Sequence, residues 1–156
     1  MDAIPGEIAV RPARAVDYDA IAAVADDWWG RPIVGFLPRL FLDHFHGTSL
    51  VAERDGALAG FLVGFLSPSR PLEAYVHFVG VAPDLRRTGL ARDLYERFLD
   101  LAAGHGRTVV WAVTSPVNTG SIAFHRRLGF TVAGPVSDYN GPGHDLVTFR
   151  LDLSRR

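Results

Sequence analysis

Residues 77–94 read HFVGVAPDLRRTGLARDL. The apolar run that opens this stretch suits a strand covered on both faces, and Pro83 ends it. Beyond the proline, Leu90, Leu94, Phe98 and Leu101 recur four, four and three residues apart, which predicts a helix with one buried face from about Thr88 to Ala103. A strand that turns straight into a helix start brings unpaired N–H groups and the positive end of a helix dipole to one point. Gly89 allows a bulky oxyanion to approach the backbone closely, and Ala91 is the next smallest choice at a second such position. The stretch therefore reads as a turn built to hold a phosphate, against the plainer reading of Arg86 and Arg87 as a solvated face.

Working outward, EIAVR (7–11) alternates as a first strand, and Val16, Ile21, Val24 and Trp28 form a loose helical stripe. Pro32, Gly35 and Pro38 break the chain before a short helix over Leu40 to Phe45. Two strands flank Asp55-Gly56, a dipeptide suited to a tight hairpin. AYVHFVGVA (74–82) is the fourth strand, placed near the sheet centre by its apolar density. TVVWAV (108–113) is a buried fifth, NTGSIAFHRRLGF (118–130) is a helix closed by Gly129, and TVAGPV and DLVTFRLDL supply two last strands around a glycine-rich loop. This alternation predicts one α/β domain over residues 1–156, with a mixed sheet.

Composition narrows the chemistry. A chain of 156 residues, 48% hydrophobic and 21% charged, suits one compact domain. A net charge of -1 offers no basic field, so neither nucleic acid nor an anionic membrane surface is the expected partner. No apolar run approaches the roughly 20 residues of a membrane span, and MDAIPGEIAV lacks the basic start and apolar middle of a signal peptide, so a cytoplasmic protein is expected. There is no cysteine, and all 16 basic residues are arginine. Thiolate chemistry, lysine Schiff bases and a P-loop lysine are thereby excluded. His44 and His46 stand two apart, a spacing that does not share a helix face, so no metal is expected. No G-x-S-x-G elbow occurs either.

The stretch VGVAPDLRRTGLARDLYERFL resembles the acetyl-CoA-binding signature of the GNAT superfamily of N-acetyltransferases, in which R/Q-x-x-G-x-G/A follows a strand. Arg86-x-x-Gly89-x-Ala91 matches it, and the second family element, an asparagine opening a helix that ends in Gly-Phe, is matched by NTGSIAFHRRLGF. The resemblance implies a GNAT-like fold: a mixed, mostly antiparallel sheet of about seven strands flanked by about four helices, with strands four and five splayed. It implies acetyl-CoA as the cofactor, with Val79, Gly80 and Val81 alongside the pantetheine arm. Arg86, Arg87, Thr88, Gly89, Leu90, Ala91 and Arg92 would wrap the pyrophosphate, largely through main-chain N–H groups. Asn118 and Ser121 would also contact the cofactor. Asn118 is equally a leading N-cap residue, and both roles can hold at once.

The reaction implied is direct attack of a neutral amine on the thioester, an oxyanion met by a backbone N–H near Val79, and departure of a thiolate. Many relatives place a tyrosine four residues before the closing glycine as proton donor; here that position is His125. An imidazolium titrating near ~6.5 is a stronger acid than a phenol near ~10. The alternative is that His125 is a polar filler of its helix. For the base, Glu73, Tyr75 and His77 share one strand face; His77 is preferred, with Tyr75 lining the substrate, and a satisfied core histidine is the competing reading.

Acceptor residues are expected from DDWWGRPIVGF and SDYNGPGHD, where Asp27, Trp28, Trp29, Tyr139 and Asp145 would form an aromatic and acidic cup for a small cationic amine. One tryptophan of the pair is expected in the core. A homodimer is the expected assembly, and a non-catalytic acyl-CoA-binding module of the same fold is the alternative to an enzyme.

Overall fold

The hairpin sets the N-terminal half of the sheet. In a computed structural model that describes residues 6–155, Asp55 and Gly56 take φ of 53° and 79°, the left-handed pair that a two-residue turn requires. They join Leu50–Arg54 (β2) to Ala57–Leu66 (β3), with Ile8–Pro12 (β1) antiparallel on the outer side of β2. Glu73–Val81 is β4, Val109–Thr114 β5, Thr131–Val136 β6 and Leu146–Asp152 β7, in the order β1-β2-β3-β4-β5-β7-β6. β4 is central, as its apolar density predicts. The helices are Tyr18–Trp29 (α1), Leu40–Phe45 (α2), Leu90–Gly104 (α3) and Thr119–Leu128 (α4). The start of the chain, on which the reading of a missing leader rests, and Arg156 lie outside the described residues.

Each predicted element is present, and β5 runs parallel to β4 while antiparallel pairs join β5 to β7 and β7 to β6. The parallel register covers Glu73 to Tyr75 against Val109 to Trp111 and stops there, although β4 continues to Val81 and β5 to Thr114.

The chain divides into two compact units. The first takes the chain up to Phe65 together with Phe78–Leu101, and the second takes Leu66–His77 with the chain from Ala102 onward. In the first, Ile21, Leu37, Leu42, Val51, Phe61 and Val63 form the core, with both tryptophans of α1 packed against it. Two glycines decide how closely its layers meet. A Cβ at Gly64 would lie 2.5 Å from Cε2 of Phe98, so α3 packs on β3 where β3 has no side chain. A Cβ at Gly80 would lie 2.8 Å from Cη2 of Trp29 and 2.7 Å from Cε1 of Phe61.

In the second unit, Val110, Ala112, Val147, Phe149 and Leu151 are buried along β5 and β7, and α4 with the following Phe130 covers them. Arg107 braces the approach to β4, donating from one Nη to the carbonyls of Ser67, Arg70 and Glu73 at 3.0, 3.2 and 3.4 Å.

Candidate functional site

In the first unit, β4 ends at Val81, Pro83–Leu85 makes one tight helical turn, and α3 begins at Leu90. The turn between is left-handed twice, at Arg87 (φ 66°) and Gly89 (φ 90°). Thr88 is tied back to the carbonyl of Leu85 by its hydroxyl (2.5 Å) and its N–H (3.3 Å). Arg54 holds Asp84 at 2.7 Å on the strand side. A Cβ at Gly89 would meet nothing within 4 Å. The glycine is thus required by its φ and not by crowding from within the chain. Thr88 and the two arginines before it are exposed, and the first N–H groups of α3 have no acceptor within their own helix. Arg92 is half-exposed beside Glu96, 4.0 Å away. The guanidinium of Arg86, however, donates to the carbonyl of Trp28 in the last turn of α1, so this residue presents its main chain and not its charge.

Val79 and Val81 are half-buried and Gly80 is buried, seated against Trp29. Asp27 is exposed on α1. Trp28 stacks on Phe61 at 6.1 Å, and Trp29 meets Phe61 at 6.0 Å and Phe78 at 5.5 Å. Both tryptophans therefore pack on the core, where the sequence suggests one. The neighbouring Asp26 is structural: one carboxylate oxygen accepts from the N–H groups of Ile33 and Val34 at 2.8 and 2.9 Å.

In the second unit, Asn118 caps α4, its Oδ1 accepting the N–H of Ser121 at 3.1 Å. One turn later His125 is only 6% exposed. Its ring lies flat on Phe149 at 3.9 Å and 5°, and edge-on to Phe130 and Phe124. Nδ1 is 2.7 Å from the Ser121 carbonyl oxygen, which can only accept, so Nδ1 carries the proton in the neutral ring. Burial pushes the imidazole down to about 4, and the bond to Ser121 only partly opposes that. Burial holds the ring neutral despite that bond, which favours the polar filler over the proton donor.

Along β4, Ala74 and Val76 are buried while Glu73, Tyr75 and His77 are half-buried, so the three do share a face. Burial pushes the Tyr75 phenol up to about 12, with Tyr139 adding to the shift. Glu73 accepts from the indole N–H of Trp111 at 3.0 Å and from Arg70 at 3.4 Å. Asp145 accepts the N–H of Asp138 at 2.8 Å, and Asp138 accepts that of Gly143 at 2.8 Å, so the β6–β7 connection braces itself and leaves Tyr139 48% exposed. Tyr75 and Tyr139 both belong to this unit and are near enough for their charges to interact.

Residues 18–130 match the model of the Acetyltransferase (GNAT) family. The chain belongs to the GNAT family. It is similar to an L-2,4-diaminobutyric acid acetyltransferase of Nocardia farcinica, 40% identical over 54% of this chain and 44% of that protein. It is also similar to the N-alpha-acetyltransferase RimI of Mycobacterium tuberculosis, 33% identical over 89% of this chain and 85% of that one. Among solved structures, diaminobutyrate acetyltransferase EctA from Paenibacillus lautus, in complex with L-2,4-diaminobutyric acid and coenzyme A, superposes with a TM-score of 0.74. It covers 94% of this chain and 95% of that one at 24% identity. The chain spans less than half the length of the Nocardia relative.

Sequence reasoning about this GNAT chain passes over Trp111 and Arg150. TVVWAV reads as simply buried, yet alternation puts Trp111 opposite Val110 and Ala112, and a tryptophan N–H needs a partner. The guanidinium of Arg150 lies 5.8 Å from the indole centroid. Among the described residues no group of three or more metal-ligating side chains occurs, and no helix is long and apolar enough to cross a membrane.

Proposed function

We propose that this protein is an acetyl-CoA-dependent N-acetyltransferase that moves an acetyl group to a primary amine of a small cationic molecule by direct attack on the thioester. The observation that carries this reading is the doubly left-handed turn at Arg87 and Gly89, set between the central strand and a 15-residue helix. It offers main-chain donors, an open approach and adjacent guanidinium groups, a donor set that fits a pyrophosphate. Bound there, acetyl-CoA would supply an activated carbonyl. Val79 and Val81 would accompany its pantetheine arm, and Asn118, whose side chain caps α4, would be a further cofactor contact. Tyr75, held as a neutral phenol, and His77 on the same strand face would serve the acceptor amine.

Both diaminobutyrate acetyltransferases favour a small acceptor, whereas the N-alpha-acetyltransferase RimI favours an α-amine. The decisive measurement is thiol release from acetyl-CoA across amino acids, polyamines, aminoglycosides and peptides. Turnover with a small amine is expected; acetylation confined to peptide N-termini or lysines would overturn the acceptor class. The second reading, a non-catalytic acyl-CoA-binding module, draws on the neutral His125 and the engaged Glu73, and predicts CoA binding without release of thiol from any amine. The proposal includes a cytoplasmic homodimer, and a net charge of -1 supports the further part of it, that neither nucleic acid nor an anionic membrane is a partner.

Replacing Gly89 with valine tests the turn itself. A β-branched residue at φ 90° is strained, so the turn will relax out of its left-handed form. Calorimetric titration with CoA is expected to show affinity reduced by about tenfold or more, equivalent to about 1.4 kcal/mol. Unchanged affinity would remove the turn from cofactor binding.

A further inference from the structure

The sheet of the second unit buries one face beneath α4, while the other carries a row that the strand registers define. Tyr75 on β4 is level with Trp111 on β5, Trp111 with Arg150 on β7, and Arg150 with Thr131 on β6. Glu73 stands two residues before Tyr75 on the same face. Trp111 is thus held between unlike charges: its N–H donates to Glu73 at 3.0 Å, and the Arg150 guanidinium stands over its ring. Arg150 is exposed and forms no ion pair among the described residues. The acid nearest along its own strand face, Asp152, accepts instead from the N–H and hydroxyl of Ser154 at 3.0 and 2.6 Å. From β4 to β7 is two interstrand steps, ~10 Å. An aromatic floor with an acid at one side and an uncommitted guanidinium at the other matches a small zwitterion, and a guanidinium is the group suited to planar recognition of a carboxylate.

We infer that this face selects acceptors carrying a carboxylate besides the amine, free amino acids with an amine-bearing side chain, and that Arg150 is the specificity-determining residue that holds the carboxylate above Trp111. The inference rests on the N-acetyltransferase reading and narrows its acceptor. A peptide N-terminus, whose first residue has its α-carboxyl tied up in an amide, gains nothing from Arg150 through that group.

Ornithine and putrescine make the test, since they share both amines and the chain between them and differ by one carboxylate. Calorimetry on the full chain is expected to show ornithine binding at least about tenfold tighter than putrescine, a difference of about 1.4 kcal/mol. In Arg150→Gln the two should come within about twofold of each other, and Arg150→Lys, which keeps the charge without the planar fork, should lie between. Equal binding in the unaltered protein, no binding of either, or an equal loss of both in Arg150→Gln overturns the inference. Thiol release measured in parallel separates the two levels. Preferential binding without acetylation would sink the transferase reading and leave the site, whereas acetylation without preference would sink the site and leave the reading.

Discussion

His125→Phe is expected to flatten the acid limb of the stability curve. In the folded protein the ring binds a proton only below about 4, because it is buried among aromatic rings, whereas unfolded it does so near ~6.5. Between those values the unfolded chain binds more protons, so stability rises with pH through the window and levels off above it. One such group contributes a slope of at most about 1.4 kcal/mol per pH unit and about 3 kcal/mol across the window. Phenylalanine keeps the stack on Phe149 and loses the bond to the Ser121 carbonyl, at a cost of about 1 kcal/mol at pH 7. Urea melts of both proteins from pH 7 to pH 4.5 decide it. The variant should be slightly less stable at neutrality and should lose its disadvantage as the pH falls; parallel curves would show that the ring is not held neutral. Acetyl transfer by the variant is expected to persist across the pH range, since the Nδ1 proton is engaged with the Ser121 carbonyl.

The second large effect is expected at Gly64. An alanine Cβ there would lie 2.5 Å from Cε2 and 2.9 Å from Cζ of Phe98, whose side chain is fully buried and has nowhere to swing. Overpacking of this kind costs about 1–3 kcal/mol, read as a lower denaturant midpoint with an unchanged m-value. Phe98→Leu introduced into Gly64→Ala should recover at least about 1 kcal/mol, whereas Phe98→Leu alone destabilises, and the two changes couple because the residues touch. Additive losses in the double variant would refute the packing account. Since the turn proposed to hold the cofactor leads directly into α3, Gly64→Ala should also weaken CoA binding.

Local rules made much of this fold legible. Asp55-Gly56 announces its hairpin, the spacing of Leu90, Leu94 and Phe98 announces the buried face of α3, and Gly129 closes α4 at φ 100°. The turn at Arg87 and Gly89 and the cap at Asn118 were legible for the same reason, being made of consecutive residues. What stayed hidden depends on neighbours distant in sequence. The titration of His125 is set by Phe130 and Phe149 around it. The row through Tyr75, Trp111 and Arg150 exists only because β7 lies between β5 and β6, an order that periodicity does not encode. Both tryptophans of α1 pack inward, each against Phe61, so a local stripe undercounted the core.

The bare Cα of Gly80 has a mechanical consequence. The indole of Trp29 occupies the room that a side chain would take, so the end of α1 rests directly on the central strand. The residue before it offers its carbonyl to Arg86, which is 58 positions further along the chain. Helix end, strand and turn are thereby coupled: a shove on α1 reaches the turn through one indole and one guanidinium.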